Sequence, residues 1–444
     1  MDRRQFLNSS AIAMAGLAPV TRPAAQPAAD APLDGRAALR LAREKRDELV
    51  ALLSQLIAVS SPLGESAEPA QRAVAGYLDA RGYRSELVTD DPTAYTSHPD
   101  YMAPATPYPA PAVNLVARAT GRPSRIGLFA HIDTERAGAG WTSPPLEARV
   151  RDGRLYGLGA ADDKGGVAAL AVAATILQAQ GRPAPIVMSL HGKGGGSRGS
   201  LPTFARLKDF SQVLYVHPAE TGRGFADIKH IVRGVLDTRL TVTGWRGAAR
   251  ELGSPDSASF SEGGDALQAA LAIIDDWRGV TLEGCEVNVG ELRAGDRVGS
   301  VPASASARVR VLFDDARSFG EVLAVARRDA ERVAAARSRG DRRITITLDR
   351  DGLGANYAVV PWDSPACQAL RTSIADVTGT APASYPTHFA GDIRYPIRLA
   401  GAPSFGMGSL AGGFYGPDEW VDIDDLVRLV AVVMLCADRW AGLG

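Results

Sequence analysis

The chain has little cysteine, little histidine, few aromatic residues and almost no net charge. Its 444 residues include three cysteines, at positions 285, 367 and 436. These are too few and too scattered for a disulfide framework or a cysteine-based zinc site. The formal net charge of −1 gives no electrostatic basis for binding nucleic acid or an anionic membrane surface. A hydrophobic content of 45% over this length is ample for a large core and suggests more than one domain.

The N-terminal segment has the pattern of an export signal. The sequence RRQFL at positions 3–7 is a twin-arginine pattern, and a weakly apolar run follows over residues 11–20. That run is too short to span a membrane, and no cysteine nearby could carry a lipid anchor. We therefore predict a signal and linker over residues 1–32, cleavage near Ala25, and a soluble periplasmic product without a membrane anchor.

Apolar strands alternate with helical patterns after this segment. The predicted strands 114–117, 126–130, 185–190 and 212–216 are interrupted by a helical pattern over 165–180. This alternation predicts an α/β fold, an open sheet flanked by helices on both faces. Ligands bind such sheets beyond the C-terminal ends of the strands. Because His131, His191 and His217 each follow a predicted strand, they are candidate site residues.

The pattern changes near residue 234. Strands are predicted at 235–242, 305–313 and 343–348, and helices at 265–277 and 319–337. This order predicts a small α+β unit, with helices on an antiparallel sheet, inserted into the larger domain. The predicted division is a catalytic domain over 33–233 and 354–444 and an inserted unit, called the lid domain below, over 234–353.

Several segments together resemble a known family. They are His131-Ile132-Asp133, YGLGAADDKGG at 156–166, the SRGS turn at 197–200, Gly391-Asp392 and YGPDEWVDIDDL at 415–426. With them the chain resembles the acetylornithine deacetylase, succinyl-diaminopimelate desuccinylase, glutamate carboxypeptidase and aminoacylase metallohydrolases. The resemblance implies a phosphorylase/hydrolase-like catalytic domain, a ferredoxin-like lid domain that forms a homodimer, and two zinc ions.

The resemblance also implies roles for three residues. His131 would bind one zinc ion, and Asp162 would bridge both ions. Asp133 would hydrogen-bond the second ring nitrogen of His131 and fix its tautomer. Two ions that share a carboxylate and a water molecule generate hydroxide near neutral pH.

The chain departs from the family pattern at four positions. Lys193 and Gly194 stand where the family has two glutamates, a general base and a zinc ligand. His217 replaces an acidic ligand, and Tyr415 replaces the final histidine ligand. The lid segments 244–251 and 297–302 also lack the family's histidine and asparagine. An ammonium group cannot accept a proton from water and repels a cation, so the ordinary two-zinc mechanism cannot operate here.

A rebuilt site is nevertheless possible from the residues present. His131, Asp162 and His217, joined by His191 or His388, would suit one or two zinc ions. Glu220 is the nearest acidic residue that could replace the lost base. The predicted substrate-binding residues are Arg198, Arg394 and Tyr415, and the two arginines would bind a substrate carboxylate by bidentate pairing.

Three functional hypotheses follow. The first is an exported metal-dependent hydrolase of a C–N amide or peptide bond, acting on a small amide or peptide with an altered site. The second is a non-catalytic periplasmic binding protein that retains the cleft. The third is a metal-free enzyme that uses Lys193 and Asp162, with a desolvated lysine as base or nucleophile.

Overall fold

The computed structural model describes residues 32–91, 93–102, 110–193, 196–246, 264–296 and 301–443. The predicted export signal and Gly194 lie outside these ranges, as do parts of both lid segments. Within them the helices are α1 (Gly35–Glu44), α2 (Arg46–Ala58), α3 (Glu68–Asp79), α4 (Lys164–Ala179), α5 (Ser200–Arg206), α6 (Ala266–Asp276), α7 (Phe319–Arg337), α8 (Pro365–Thr378), α9 (Arg394–Leu399) and α10 (Ile423–Ala441). The strands are β1 (Tyr83–Asp90), β2 (Ala112–Ala119), β3 (Pro123–His131), β4 (Arg149–Arg151), β5 (Arg154–Tyr156), β6 (Ala184–Leu190), β7 (Gln212–Val216), β8 (Asp227–Ile228), β9 (Ile231–Val232), β10 (Gly234–Thr243), β11 (Glu286–Ala294), β12 (Ser304–Phe313), β13 (Thr345–Ala355), β14 (Ala358–Val359), β15 (Ala383–Ser384), β16 (Ser404–Met407), β17 (Ala411–Gly412) and β18 (Trp420–Asp422).

The main sheet is mixed, with the strand order β1-β2-β6-β3-β7-β16. Strands β6, β3, β7 and β16 are parallel, whereas β1 and β2 are antiparallel to their neighbours. The parallel strands are apolar on both faces because helices cover both. In β3, Leu128 belongs to the core cluster that includes α4 and α10, while Phe129 belongs to the cluster that includes α5. The predicted α/β sheet flanked by helices is confirmed.

The lid domain is built on a second, fully antiparallel sheet of order β11-β12-β10-β13. The chain order β10-α6-β11-β12-α7-β13 is the βαββαβ pattern, which confirms the ferredoxin-like prediction. Both helices pack on one face of this sheet, in a core that includes Leu240, Ile273 and Val309. Helix α7 begins with a capping box in which Ser318 and Glu321 satisfy each other's backbone amides. These elements run from Gly234 to Ala355, and the exact domain division stays a prediction.

Apolar residues recur at helical spacing over residues 36–59 and predict one helix there, but the chain forms two helices, α1 and α2, which meet at Lys45. Their apolar residues pack against α4 and α10, so the break changes the helix direction without exposing the apolar face. Among the described helices, none combines the length and the apolar composition needed to cross a membrane.

Candidate metal and active site

The candidate site lies at the C-terminal edge of the three central parallel strands. His131 is the last residue of β3, and His217 directly follows β7. Lys193 lies three residues beyond the end of β6. Asp162 is in the loop that leads into α4. The parallel strands therefore gather chemically active side chains from distant parts of the sequence, as the sequence predicted for this edge.

Glycines allow these segments to approach closely. A Cβ atom on Gly166 would lie 2.1 Å from the carbonyl oxygen of Val216, and one on Gly165 would lie 2.4 Å from that of Ala160. Helix α4 therefore begins against the loop and strand that carry the site. Gly192 likewise allows its segment to lie close to His131, because a Cβ atom added to Gly192 would lie 2.6 Å from the Cβ atom of His131.

Two imidazoles converge on one oxygen of Asp162. His131 Nε2 lies 2.8 Å from Asp162 Oδ1, and His217 Nε2 lies 3.1 Å from the same atom. Each of the three side chains is at least nine-tenths buried. Among the described residues they form a group whose ligand atoms all lie within 4.8 Å of one another. Two imidazole nitrogens and one carboxylate are a donor set that zinc and similar divalent ions accept.

The second oxygen of Asp162 has a different partner. Lys193 Nζ forms a hydrogen-bonded ion pair with Asp162 Oδ2 and lies 3.7 Å from Glu135 Oε1. The same ammonium group stands over the Tyr415 ring, 4.5 Å from its centroid. Tyr415 in turn donates a hydrogen bond of 2.9 Å to Glu220. Side chains thus surround the side of Asp162 that faces away from the histidines.

Backbone carbonyls orient both imidazoles. His131 Nδ1 lies 2.9 Å from the carbonyl oxygen of Asp133 and 3.4 Å from its carboxylate. His217 Nδ1 lies 2.7 Å from the carbonyl oxygen of Pro218 and 2.8 Å from Lys229 Nζ. On His131, a proton on Nδ1 that is donated to the carbonyl oxygen leaves the Nε2 lone pair directed at the site. On His217, Nδ1 has both a carbonyl acceptor and the Lys229 ammonium donor beside it, so the tautomer depends on which of the two it pairs with. Asp133 lies beside His131, and its carboxylate accepts hydrogen bonds from the backbone amides of Gly192 and Lys193. Its predicted role in fixing the tautomer of His131 stays a prediction.

The charges of the site are strongly coupled. Burial alone would raise the pKa of Asp162, but Lys193 and the imidazoles hold it well below its usual range. Burial acts to lower the pKa of Lys193, yet Asp162 and Glu135 raise it above the ordinary value. Lys193 is therefore an ammonium ion at neutral pH and has no lone pair with which to accept a proton. This charge state argues against the metal-free hypothesis, in which Lys193 serves as base or nucleophile.

The two histidines differ in protonation. Burial opposes a proton on His131, but Asp162 and Asp133 outweigh it and raise the pKa of His131 well above the usual value. Burial and the neighbouring Lys229 lower the pKa of His217 to about 4. In the absence of a metal ion, His131 is the protonated member of the pair and His217 is neutral at pH 7.

A buried carboxylate holds the loop that carries Asp162. Glu419 accepts hydrogen bonds of 2.8 Å from the backbone amides of Gly159, Ala161 and Asp162. Burial raises the pKa of Glu419 to about 7, against the lowering effect of these amides. The position of Asp162 thus depends on Glu419, which lies in the distant segment 415–426.

The group opens into a cleft of about 340 Å³. The predicted residues that line it are His131, Asp162, Lys193, His217, Glu220, His388 and Tyr415. A neighbouring cleft of about 210 Å³ shares Glu135, Asp162, Lys193 and Tyr415 with it. Lys193 and Tyr415 therefore stand between two connected spaces. Glu220 faces the cleft, as expected of a replacement base, and its catalytic role stays a prediction.

Three of the predicted site residues do not join this group. His191 is completely buried, with Nδ1 3.5 Å from Asp133 Oδ2, and it is not in the group of three possible ligands among the described residues. Its predicted role as a ligand stays a prediction. Arg198 donates to the carbonyl oxygens of Ala110 and Glu65. Arg394 donates to the carbonyl oxygens of Ala390 and Gly391. Both guanidinium groups are buried and donate to the backbone, and neither arginine lines the cleft. Their predicted role in binding a substrate carboxylate stays a prediction.

His388 has an intermediate position. It lines the cleft but is not part of the group of three possible ligands among the described residues. Burial lowers its pKa well below the usual value, with further lowering from Lys229 and His217. It is a neutral imidazole beside the site, and its predicted role as a ligand remains a prediction.

The structure adds three residues that the sequence interpretation missed. Glu135 lines both clefts, Lys229 contacts His217, and Glu419 supports Asp162. Glu135 lies two residues after Asp133, so its proximity to the motif was a usable signal. Glu419 lies in the segment 415–426 that carries part of the resemblance, so that segment was also a usable signal. Lys229 reaches the site only through the tertiary fold, and nothing in its local sequence indicates that contact.

Comparisons with known proteins agree with this geometry. Residues 127–439 match peptidase family M20/M25/M40. A succinyl-diaminopimelate desuccinylase of Gluconacetobacter diazotrophicus is 28% identical over 351 residues, covering 75% of this chain and 86% of that protein. The corresponding enzyme of Methylococcus capsulatus is 28% identical over 309 residues, covering 66% and 76%.

Solved structures share the fold. The aminopeptidase PepT of Bacillus cereus superposes with a TM-score of 0.67 at 15% identity, covering 89% of this chain and 99% of that chain. A protein of Bacillus subtilis described as a dinuclear metal binding peptidase of the M20 family superposes with a TM-score of 0.59 at 13% identity, covering 90% and 99%. The sequence match covers well over half of this chain, and the structural matches agree with it. The chain therefore belongs to peptidase family M20/M25/M40, a family of metal-dependent hydrolases.

Proposed function

We propose that the protein is an exported metal-dependent hydrolase of a C–N amide or peptide bond in a small acylated amine or peptide. The observation that carries this proposal is the group of His131, Asp162 and His217, whose ligand atoms converge at the wall of a cleft. The curated relatives are named as enzymes that remove a succinyl group, and several structural neighbours are named as peptidases. Both activities cleave a C–N bond next to a carbonyl.

One divalent ion fits the residues present. Zinc is the proposed ion because two imidazoles and a carboxylate are typical zinc donors. When bound, it would act as a Lewis acid that activates water and polarises a carbonyl group. The donors are His131 Nε2, His217 Nε2 and Asp162 Oδ1.

The chain's own residues supply the remaining chemistry. Glu220 and Glu135 line the cleft together with Asp162 and Asp392, and either glutamate can hold a proton released from water. Lys193 cannot do so because it remains charged, but its N–H groups can donate to a substrate oxygen. The Tyr415 ring faces the Lys193 ammonium group, and both residues line both clefts.

A non-catalytic binding protein is the second candidate. The observation that favours it is the ion pair between Lys193 and Asp162, which places a positive charge next to the metal ligands. Such a protein would keep the cleft and bind small amides without turning them over. The two candidates predict different results in the same assay.

Export and dimerisation are further parts of the proposal. The twin-arginine pattern supports export to the periplasm. The strand order of the lid sheet supports a homodimer, because β11 lies at an end of that sheet and presents an edge for pairing with a second copy.

The test is a hydrolysis assay on the full mature chain loaded with zinc. N-acetyl and N-succinyl amino acids and dipeptides are offered as substrates, and released amine is measured. Turnover that is lost in His217→Ala and retained in His98→Gln supports the proposal, because His98 is not among the residues that line the cleft. Binding of these compounds by calorimetry without any turnover would contradict it and favour the binding protein.

A further inference from the structure

We propose that the ammonium group of Lys193 takes the place of a second metal ion, so that the site holds one divalent ion per chain. This inference rests on the proposed function, since it assumes that His131, Asp162 and His217 bind an ion. The inference concerns the source of the second positive charge beside Asp162, a metal ion or a side chain. Membership of the family does not determine that source.

The first step is the division of Asp162 between two partners. Its Oδ1 atom faces both imidazole Nε2 atoms, at 2.8 and 3.1 Å. Its Oδ2 atom faces Lys193 Nζ in an ion pair. A carboxylate that bridges two cations uses one oxygen for each. Here the imidazoles define one cation position, and the ammonium group already occupies the other.

The second step is that Lys193 is fixed in this position. Its side chain is 7% exposed. The ammonium group contacts the Tyr415 ring on one side and lies 3.7 Å from Glu135 on another. Tyr415 is itself held by its hydrogen bond to Glu220 and adopts a left-handed backbone with φ of 62°. The carboxylates of Asp162 and Glu135 and the Tyr415 ring form a cation-binding site, and the cation that fills it is the Lys193 ammonium group.

The third step is electrostatic exclusion. Two cations a few ångströms apart in a buried site repel each other strongly, and the shared carboxylate offsets only part of that repulsion. A divalent ion beside Asp162 Oδ2 would have to displace Lys193 from its contacts with Asp162, Glu135 and Tyr415. Among the described residues, the three possible ligands lie around Oδ1.

This arrangement differs from that of one structural neighbour. The Bacillus subtilis protein is described as a dinuclear metal binding peptidase, and it shares the fold at 13% identity. The present chain retains the scaffold and replaces one divalent ion with a monovalent side-chain cation. Because that cation is an N–H donor, it can also bind a carbonyl or carboxylate oxygen of a ligand in either cleft that it lines.

Metal stoichiometry and affinity test the inference without measuring activity. Purified full-length mature protein is saturated with zinc, desalted and analysed by mass spectrometry, and cobalt(II) titration is followed by visible absorption. We expect one ion per chain. Two ions per chain would overturn the inference while leaving the proposed function standing. No bound ion would overturn the proposed function itself.

The variant Lys193→Gln tests the role of the charge. Removing the positive charge next to Asp162 is expected to tighten zinc binding to His131, Asp162 and His217 by roughly tenfold or more. The matched control Lys208→Gln, at an exposed lysine, is expected to leave the affinity unchanged. A purely structural role for Lys193 predicts the opposite sign. Unchanged or weaker zinc binding in Lys193→Gln, with folding verified by circular dichroism, would overturn the inference.

Discussion

At the scale of single residues, the site is governed by one buried carboxylate. Asp162 stays ionised because it has an ammonium group on one oxygen and two imidazoles on the other. Each of these charged groups shifts the pKa of its neighbours, so replacing Lys193 or His217 would change the protonation of the other groups around Asp162. A buried carboxylate without such partners would take up a proton instead.

Zinc binding is expected to release about one proton per chain at pH 7. The pKa of His131 is raised well above its usual value, so this residue must lose a proton to become a ligand. His217, with a pKa of about 4, is already neutral and contributes none. Because each bound zinc ion displaces one proton, the apparent zinc affinity rises with pH, by roughly tenfold per pH unit, until the pH exceeds the pKa of His131.

Calorimetry in buffers of different ionisation enthalpy measures the number of protons released. The same titration in His217→Gln separates the two histidines, since the proton from His131 should still be released if any zinc binds. Zinc affinity that is independent of pH between 6 and 8 would contradict this assignment.

Glu419 is expected to control the position of Asp162. Glu419→Leu removes the acceptor of three backbone amides. Each buried amide left without a partner costs about 1–3 kcal/mol, so we expect a clear loss of thermal stability together with weaker zinc binding. Thermal unfolding with and without zinc measures both effects. The exposed Glu147→Leu is the control, and equal behaviour of the two variants would refute this role.

At the scale of elements, the parallel strands place the ligands, and the loops between strand and helix adjust them. His131 and His217 are fixed by β3 and β7, whereas Asp162 depends on the tight turn that starts α4. The segment after β6 passes so close to β3 that Gly192 has no room for a side chain. This close contact predicts a sharp response to a small substitution.

Gly192→Ala is expected to displace the His131 ring and weaken zinc binding by at least about tenfold, because the added methyl group would overlap that ring. The matched control is Gly76→Ala, in helix α3, where a Cβ atom has nothing within 4 Å. The control should retain wild-type affinity and gain slight stability from its helical position. Zinc titration of the two variants decides the matter, and equal affinity would refute the crowding argument.

The elements also show how far sequence reasoning extends. Strands β3, β6 and β7 and helix α4 were predictable because they are long apolar runs in alternating order. Strand β1 (YRSELVTD) was missed because an edge strand with a solvated face is rich in polar residues. The single helix predicted over residues 36–59 divides at Lys45, and helical periodicity alone cannot locate such a break.

The site shows the same limit in a different form. Motif positions identified His131, Asp162 and His217 as a group, and the structure brings them together. Histidine position relative to a strand end did not distinguish His191, which turns behind Asp133. The pairing of Lys193 with Asp162 and the ring of Tyr415 depends on contacts between segments far apart in sequence, which no local pattern encodes.

At the scale of the whole molecule, the chain has the fold of a hydrolase family, and its core is largely separate from its candidate site. The apolar core depends on burial, and the site residues contribute little to it. Fold and chemistry can therefore diverge, and function has to be argued from the site. The assembly of the molecule, by contrast, is expected to follow the scaffold.

We expect the mature protein to be a homodimer, with a mass about twice that of one chain. Leu292, on the edge strand β11, is 40% exposed and lies where a second copy would pair. Leu292→Asp should shift the protein towards the monomer, measured by light scattering after size-exclusion chromatography. Val280→Asp, at a more exposed apolar residue outside that strand, should not. A monomeric wild-type protein would contradict the prediction.

Export is tested in the same protein. Replacing both arginines of the signal, Arg3→Lys with Arg4→Lys, should retain the chain in the cytoplasm of a bacterium with a twin-arginine pathway. Cell fractionation and immunoblotting compare the two forms. Equal amounts of both in the periplasm would show that this pathway is not used.

The most direct test of the central claim is a crystal structure of zinc-soaked protein with anomalous data collected on both sides of the zinc absorption edge. We expect one anomalous peak per chain, from a zinc ion in contact with His131 Nε2, His217 Nε2 and Asp162 Oδ1. Lys193 should still be paired with Asp162 Oδ2. Absence of any peak at these three atoms, in crystals that contain zinc, would contradict it.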